Sequence, residues 1–355
     1  MSDIDHHVGI SPLAQLKFGL VSSIVLDPMH LIYLGATRKL LFIWIKGKIP
    51  HRLPSRLVAE LSTRNSDLAK YSPSEFVRKP RSFRYLDHFK STEYRQFLLY
   101  TGPVILYGIL PTEKFDHFIL LHVACRILCT NNVPDEYLVL AQQLLVKFVE
   151  EGKKIYGKEF LVYNIHSLVH VVDDVRRYGA LDSYSAWPFE NRMQFFKKLL
   201  RGKQDPLAQV VRRILEMNVS GILHCAKTST DNSDNFKVYM AKGDLRAVYK
   251  DHLVSSLHGD NCFLTIDGKI IKVRKILADR TSKVGLEKMC LEANVLQTSE
   301  FKQYPVCSSK LQVFSCSKDI VKLIKISFRE LKQKFILLPF SETVDICFPL
   351  FQSIF

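Results

Sequence analysis

The sequence predicts a mainly α-helical protein that ends in a small β-rich domain. Three observations carry this. Apolar residues recur at helical spacing through residues 1–225, in segments opened by Pro and closed by Gly or Pro. Residues 226–236 (AKTSTDNSDNF) are small and polar, a linker by composition. Residues 237–355 then show short β-type runs, among them CFLTIDGKIIKVRKIL with Asp267-Gly268 as a hairpin turn.

Asp27-Pro28 starts the first helix, with an N-cap carboxylate and Pro at the first helical position. The run from Met29 is apolar on nearly every face, which predicts a largely buried helix ended by Gly47 and Pro50. A more amphipathic helix is expected over Pro54 to Lys70. Pro73, Pro80 and clustered Arg and Lys residues make 71–90 a loop. Helical periodicity resumes from Thr92 to Leu110, with a kink expected at Gly102-Pro103. Further helices are expected from Pro111 to Cys129, Pro134 to Tyr156, Tyr163 to Tyr178, from Pro188, and from Pro206 to Cys225. The β-type runs of the last domain are CFLTIDGKIIKVRKIL, KLQVFSC, DIVKLIKI and FILLPF.

The 355 residues are 47% hydrophobic and 24% charged, a globular composition, and the formal net charge is +15. That excess favours polyanionic partners, nucleic acid first. The eight cysteines contain no CxxC pair and read as reduced thiols. The start has no signal-peptide pattern and the apolar runs are too short to span a bilayer. The expectation is a nuclear or cytoplasmic protein, not secreted and without a membrane partner.

Five features have chemistry to offer, each beside a plain structural role. Asp27 and His30 share a helical face near an N-terminus, or form an N-cap with a half-buried His. His166 and His170, at i and i+4, have the spacing of a shared metal such as Zn, or pack between helices; no Glu follows the first to make HExxH. Glu190 sits in a first helical turn, as a metal carboxylate or as a favourable dipole contact. Arg78, Lys79, Arg81, Arg84, Lys90 and Arg95 form a basic loop with interleaved aromatics, suited to phosphates or to plain solvation; Lys197, Lys198 and Arg201 form a second basic stretch after Glu190. His122, Cys125 and Cys129 share one stripe, where Leu and Val around them favour core packing.

Three blocks in order resemble a known family. VLDPMHLIYLGATRKLLFIWIKG is similar to the LDxMH helix of CACTA-type (En/Spm-like) transposases. FVRKPRSFRYLDHFKSTEYRQFLLYTGPVIL resembles the block that follows it in animal relatives. FLVYNIHSLVHVVDDVRRYGALDSYSAWPFENRM is similar to the final block, in which a HxxxH pair precedes an aromatic-Pro-Phe-Glu segment. The resemblance implies the helical insertion and last catalytic helix of a ribonuclease H-like core that cuts DNA with two divalent metals, Mg or Mn, held by three acidic residues. Glu190 matches the third acidic residue, Asp27 and His30 the DxxH motif, and His166 and His170 the HxxxH motif. The family carries its two catalytic aspartates and a CxxC pair upstream of DxxH, and the 26 residues before Asp27 show neither. The expectation is therefore a transposable-element-derived protein, inactive alone, that binds DNA and has the option of self-association. The alternatives are a helical protein-interaction module without DNA function, and a metal-dependent nuclease or transposase completed by another chain.

Overall fold

A computed structural model describes residues 23–220, 236–241, 243–278 and 289–351, with Gln15, Leu16 and Gly19 besides. The helical part precedes an antiparallel β part, as the periodicities predict. The segment ahead of Asp27 and the 226–236 linker fall almost wholly outside the described residues. Among the described residues no helix is long and apolar enough to cross a membrane.

The first helix is buried on most sides. It runs as π-helical turns over Met29–Thr37 and continues as α1 (Arg38–Lys46), with Tyr33, Leu40, Leu41 and Trp44 fully buried. Gly35 permits this: a Cβ there would lie 2.6 Å from the Asn164 amide nitrogen. After α2 (Ser55–Asp67), the expected loop contains a 3-10 turn at Phe83–His88. The next helix comprises α3 (Ser91–Gln96), π-helical turns over Phe97–Thr101 and α4 (Gly102–Leu106). The expected break at Gly102-Pro103 is thus a widened turn. It accommodates a Pro that has no N–H to offer the helix.

Helices α5 (Thr112–Leu128) and α6 (Asp135–Tyr156) pack against each other at the centre of the core. The single helix expected over Tyr163 to Tyr178 is instead α7 (Tyr163–His166), a 3-10 turn at Ser167–His170 and α8 (Val171–Tyr178). Last come α9 (Trp187–Leu199) and α10 (Pro206–Val219), which packs so lightly that none of its residues is fully buried.

The β part has more strands than its sequence suggests. Strands β1 (Lys237–Ala241), β2 (Asp244–Tyr249) and β3 (His252–Val254) make a separate three-stranded sheet. Six further strands close an antiparallel barrel in the order β4-β5-β6-β7-β9-β8. They are β4 (Cys262–Thr265), β5 (Ile270–Ala278), β6 (Met289–Glu300), β7 (Phe314–Ser327), β8 (Leu331–Pro339) and β9 (Val344–Pro349). The hairpin at Asp267-Gly268 joins β4 to β5, with Gly268 at φ 82°. The runs KLQVFSC and DIVKLIKI are not two strands. A 3-10 turn at Ser308–Leu311 leads into one long β7, whose bulges bend it round the barrel.

The barrel has three apolar faces. Cys262, Leu264, Leu296, Cys316, Phe335, Leu337 and Cys347 fill one end of its interior. Val273, Leu291, Ala293 and their neighbours face the three-stranded sheet. Ile336, Leu338, Ile346 and Phe348 join the core of the helical part, as do Phe301, Tyr304 and Leu350. The β part is therefore seated on the helices through shared core.

Polar contacts lock that seat. The Tyr304 hydroxyl bonds His122 Nε2, while His122 Nδ1 faces the Leu98 carbonyl at 2.6 Å. Arg126, also buried, donates to the carbonyls of Leu99 at 2.9 Å and Pro349 at 3.2 Å. His122, Cys125 and Cys129 all lie in the core, where burial pushes both thiols up in pKa.

Candidate functional site

Asp27 is the natural starting point because its side chain does two jobs. Its Oδ2 accepts from the His30 backbone N–H at 3.1 Å and its Oδ1 from Met29 N–H at 3.3 Å, which caps the first helix. Oδ1 also accepts from the Ala186 N–H at 2.8 Å, just ahead of α9. Asp174 makes a parallel tie, its Oδ2 accepting from Leu26 N–H at 2.9 Å. Two carboxylates thus pin the start of the first helix, one to the segment that leads into α9 and the other to α8.

The next residues follow from that tie. Trp187 opens α9 and is buried. Its ring stacks on Tyr33 at 5.3 Å, and its indole N–H donates to Ser91 Oγ at 2.8 Å. With α9 so anchored, Glu190 in its first turn reaches His30. One carboxylate oxygen stands 3.3 Å from His30 Nε2, while Asp27 Oδ2 lies 2.5 Å from His30 Nδ1. The imidazole bridges two carboxylates on the surface, with His30 and Glu190 both more than half exposed. The structure thus joins the DxxH residues to Glu190.

Among the described residues the HxxxH pair forms no metal-binding group with this cluster. His166 and His170 are exposed, with ring centroids 5.7 Å apart across the 3-10 turn. Among the described residues no group of three or more His, Cys, Asp or Glu side chains is placed to hold a metal ion. The donor chemistry agrees. The oxygens of Asp27 already accept from three backbone N–H groups and the His30 ring. That leaves Glu190 and one imidazole, which do not suit a pair of hard divalent cations that take several oxygen ligands each. The described residues do not fit Mg or Mn, nor Zn at His166 and His170, where two ligands stand in place of the usual three or four.

The expected phosphate-contacting residues divide. Arg78, Lys79, Arg84 and Lys90 are exposed, as are Lys197, Lys198 and Arg201. Arg81 is committed elsewhere: its guanidinium binds both carboxylate oxygens of Glu93, at 2.6 and 3.0 Å, and the His88 carbonyl at 2.8 Å. Arg95 is a correction to the sequence reading. It is buried, 2.6 Å from Asp182 Oδ2, with its guanidinium 5.9 Å from the centre of the Trp187 ring. Burial works against its charge, yet Asp182 holds its pKa above the ordinary arginine value. It supports Trp187 from beneath and is out of reach of a phosphate.

Sequence reasoning missed Asp174, Asp182 and Ser91. Nothing in their local pattern marks them, because their partners Leu26, Arg95 and Trp187 lie far away in the chain. Chemically, the site is an exposed His–Glu pair mounted on a structural cap.

Comparison with known proteins adds one match. Residues 227–350, about a third of the chain, are similar to a family described as a domain of unknown function (DUF8592). No curated protein and no solved structure matches the chain.

Proposed function

We propose that this is a transposable-element-derived protein that binds DNA through exposed basic surfaces and does not cut it. The 3.3 Å approach of His30 to Glu190 carries the reading. Two motifs far apart in the sequence, each matched to the CACTA-type pattern, meet at one place on the surface. Catalysis is left out because the acidic companions that strand cleavage requires are not found beside Glu190 among the described residues. DNA binding is supported by Lys197, Lys198 and Arg201, exposed at and just past the end of α9, whose first turn holds Glu190, in a chain of net charge +15.

The test is fluorescence anisotropy on a labelled duplex at rising salt. Binding should weaken steeply with salt, as counterion release requires, and weaken further in Lys197→Glu/Lys198→Glu/Arg201→Glu. The same protein incubated with Mg²⁺ or Mn²⁺ should leave supercoiled plasmid intact. Cleavage that disappears in Glu190→Gln would establish the nuclease instead. A second reading, a protein-interaction module, draws on α10, where Leu207, Val211, Leu215 and Val219 recur every fourth residue and are all exposed. Absence of DNA binding at low salt, together with a concentration-dependent oligomer by light scattering, would favour it.

A further inference from the structure

The mouth of the barrel holds a cavity of about 440 Å³, separate from the Asp27–His30–Glu190 surface. Its position follows from strand register. Cross-strand partners share a face of a sheet. Lys272 pairs with Cys262 on one side and Asn294 on the other, and Asp345 pairs with Cys316. Cys262 and Cys316 are interior residues, so Lys272, Asn294 and Asp345 point to the inside too. Leu296 and Leu337 of the apolar filling line the cavity together with these polar side chains.

The charged groups around this mouth are three cations and one carboxylate, with a His258 imidazole whose charge burial disfavours. Lys272 and Arg274 come from β5, where a bulge between Val273 and Lys275 re-aims Arg274. Lys318 comes from β7, with Nζ 2.6 Å from the Ser341 carbonyl and 3.6 Å from Asp345. His258 comes from the loop after β3, its ring 4.9 Å from that of Tyr71. The only carboxylate among the lining residues is Asp345. Among the described residues neither Lys272 nor Arg274 forms an ion pair.

Asn294 supplies an independent sign of a ligand. It lines the cavity, is 7% exposed, and its Oδ1 has no hydrogen-bond partner. A buried amide oxygen left unpaired costs free energy, and a hydroxyl donor would relieve it. Asp345, which also lines the cavity, offers a second acceptor. The loop that brings His258 is held rigidly: Gly259, at φ 86°, lies so close to Ser72 that a Cβ would sit 2.4 Å from its carbonyl oxygen.

We infer that the barrel mouth binds a phosphate monoester carried on a hydroxyl-bearing sugar. Lys272, Arg274 and Lys318 take the phosphate, and Asn294 Oδ1 with Asp345 accepts from sugar hydroxyls. The volume lies in the range of small-molecule sites, and barrel mouths are a recurrent place for them. The ligand is either a sugar phosphate or a nucleotide, whose base would rest on the Tyr71–His258 rim.

Isothermal titration of the full chain with inorganic phosphate, ribose 5-phosphate and adenosine 5′-monophosphate separates these. Ribose 5-phosphate should bind at least about tenfold more tightly than phosphate, because only it satisfies Asn294. A further gain with the nucleotide, removed by Tyr71→Ala, would assign the base. Equal affinity for both sugar ligands would assign the sugar phosphate alone. Arg274→Ala, at an exposed position where the variant should keep the wild-type melting curve, should weaken both by about tenfold. Asn294→Leu should remove the preference for the sugar while leaving phosphate binding unchanged. No heat with any of the three ligands, or ribose 5-phosphate binding that Arg274→Ala leaves intact, would overturn the inference. Neither result bears on duplex binding through Lys197, Lys198 and Arg201.

Discussion

Lys334 Nζ lies 2.8 Å from each carboxylate oxygen of Glu75, so a strand of the barrel and a loop of the helical part meet through one buried cation. The ammonium also reaches Asp260 Oδ1 at 2.6 Å and the Leu253 carbonyl at 2.9 Å. Lys334 faces the helices because it alternates with Phe335 and Leu337, which point into the barrel. Removing one partner from a buried charge network costs far more than an exposed pair would. Lys334→Met should destabilise the protein by about 3 kcal/mol or more in urea titrations. A change under about 1 kcal/mol would show that the network contributes little.

The same carboxylate predicts an acid limb. Burial pushes the Glu75 pKa up, but the His252 hydrogen bond and Lys334 pull harder and hold it at about 2. A folded-state pKa below the unfolded one means the unfolded chain takes up protons first. Stability from Glu75 is present above the ordinary glutamate range and is lost as pH falls from there toward about 2. Urea midpoints measured across that window should fall more steeply for the native protein than for Glu75→Gln.

His122 and His117 predict a second limb at milder pH. Burial lowers His122 to about 3, with Arg126 adding to the effect, and burial lowers His117 to about 4. Each imidazole is held neutral in the fold, while the unfolded chain protonates near the ordinary histidine value. Stability is thus full above about pH 6.5 and declines as pH falls toward these values, by about 1.4 kcal/mol per pH unit for each histidine. Thermal melts from pH 7.5 to 5 should show this decline. His117→Gln should reduce the slope, and an unchanged slope would assign the decline to other groups.

Arg126 is buried, and among the described residues no carboxylate meets its guanidinium. Two carbonyls and the rings of Tyr100, Phe348 and Phe351, at 5.6, 5.2 and 4.6 Å, surround it. A planar guanidinium can lie on rings while donating sideways; an ammonium cannot do both. Arg126→Lys should therefore destabilise by about 2 kcal/mol or more, through loosening of the C-terminal strand. Hydrogen exchange at Phe351, whose N–H donates to Tyr100 Oη at 3.0 Å, would report it directly. Retained protection there would contradict this role.

Asp27 and Glu190 should respond differently to substitution. Asp27→Ala removes the helix cap and the tie to Ala186, for about 1 to 2 kcal/mol. Glu190→Gln alters an exposed side chain and should change stability by less than about 0.5 kcal/mol. Equal losses would mean that the His30–Glu190 contact matters to folding as much as the cap does.

The sequence by itself determined most of the helical part. Pro54, Pro111 and Pro134 mark where α2, α5 and α6 begin and Gly157 where α6 ends, and the all-round apolar character of the first helix foretells its burial, because local capping and periodicity act within a few residues. The hairpin at Asp267-Gly268 was legible for the same reason. Strands β1, β2, β3, β6 and β9 were not: short or mixed runs become strands only when a neighbour completes their hydrogen bonds. Tertiary structure alone decided that Arg95 serves Asp182 and Trp187 instead of solvent. It also decided that Glu190 meets His30, and that Lys272, Asn294 and Asp345 share one barrel mouth. Each of these depends on partners far apart along the chain, and a charged side chain carries the same letter whether it faces water, a carboxylate or an open cavity.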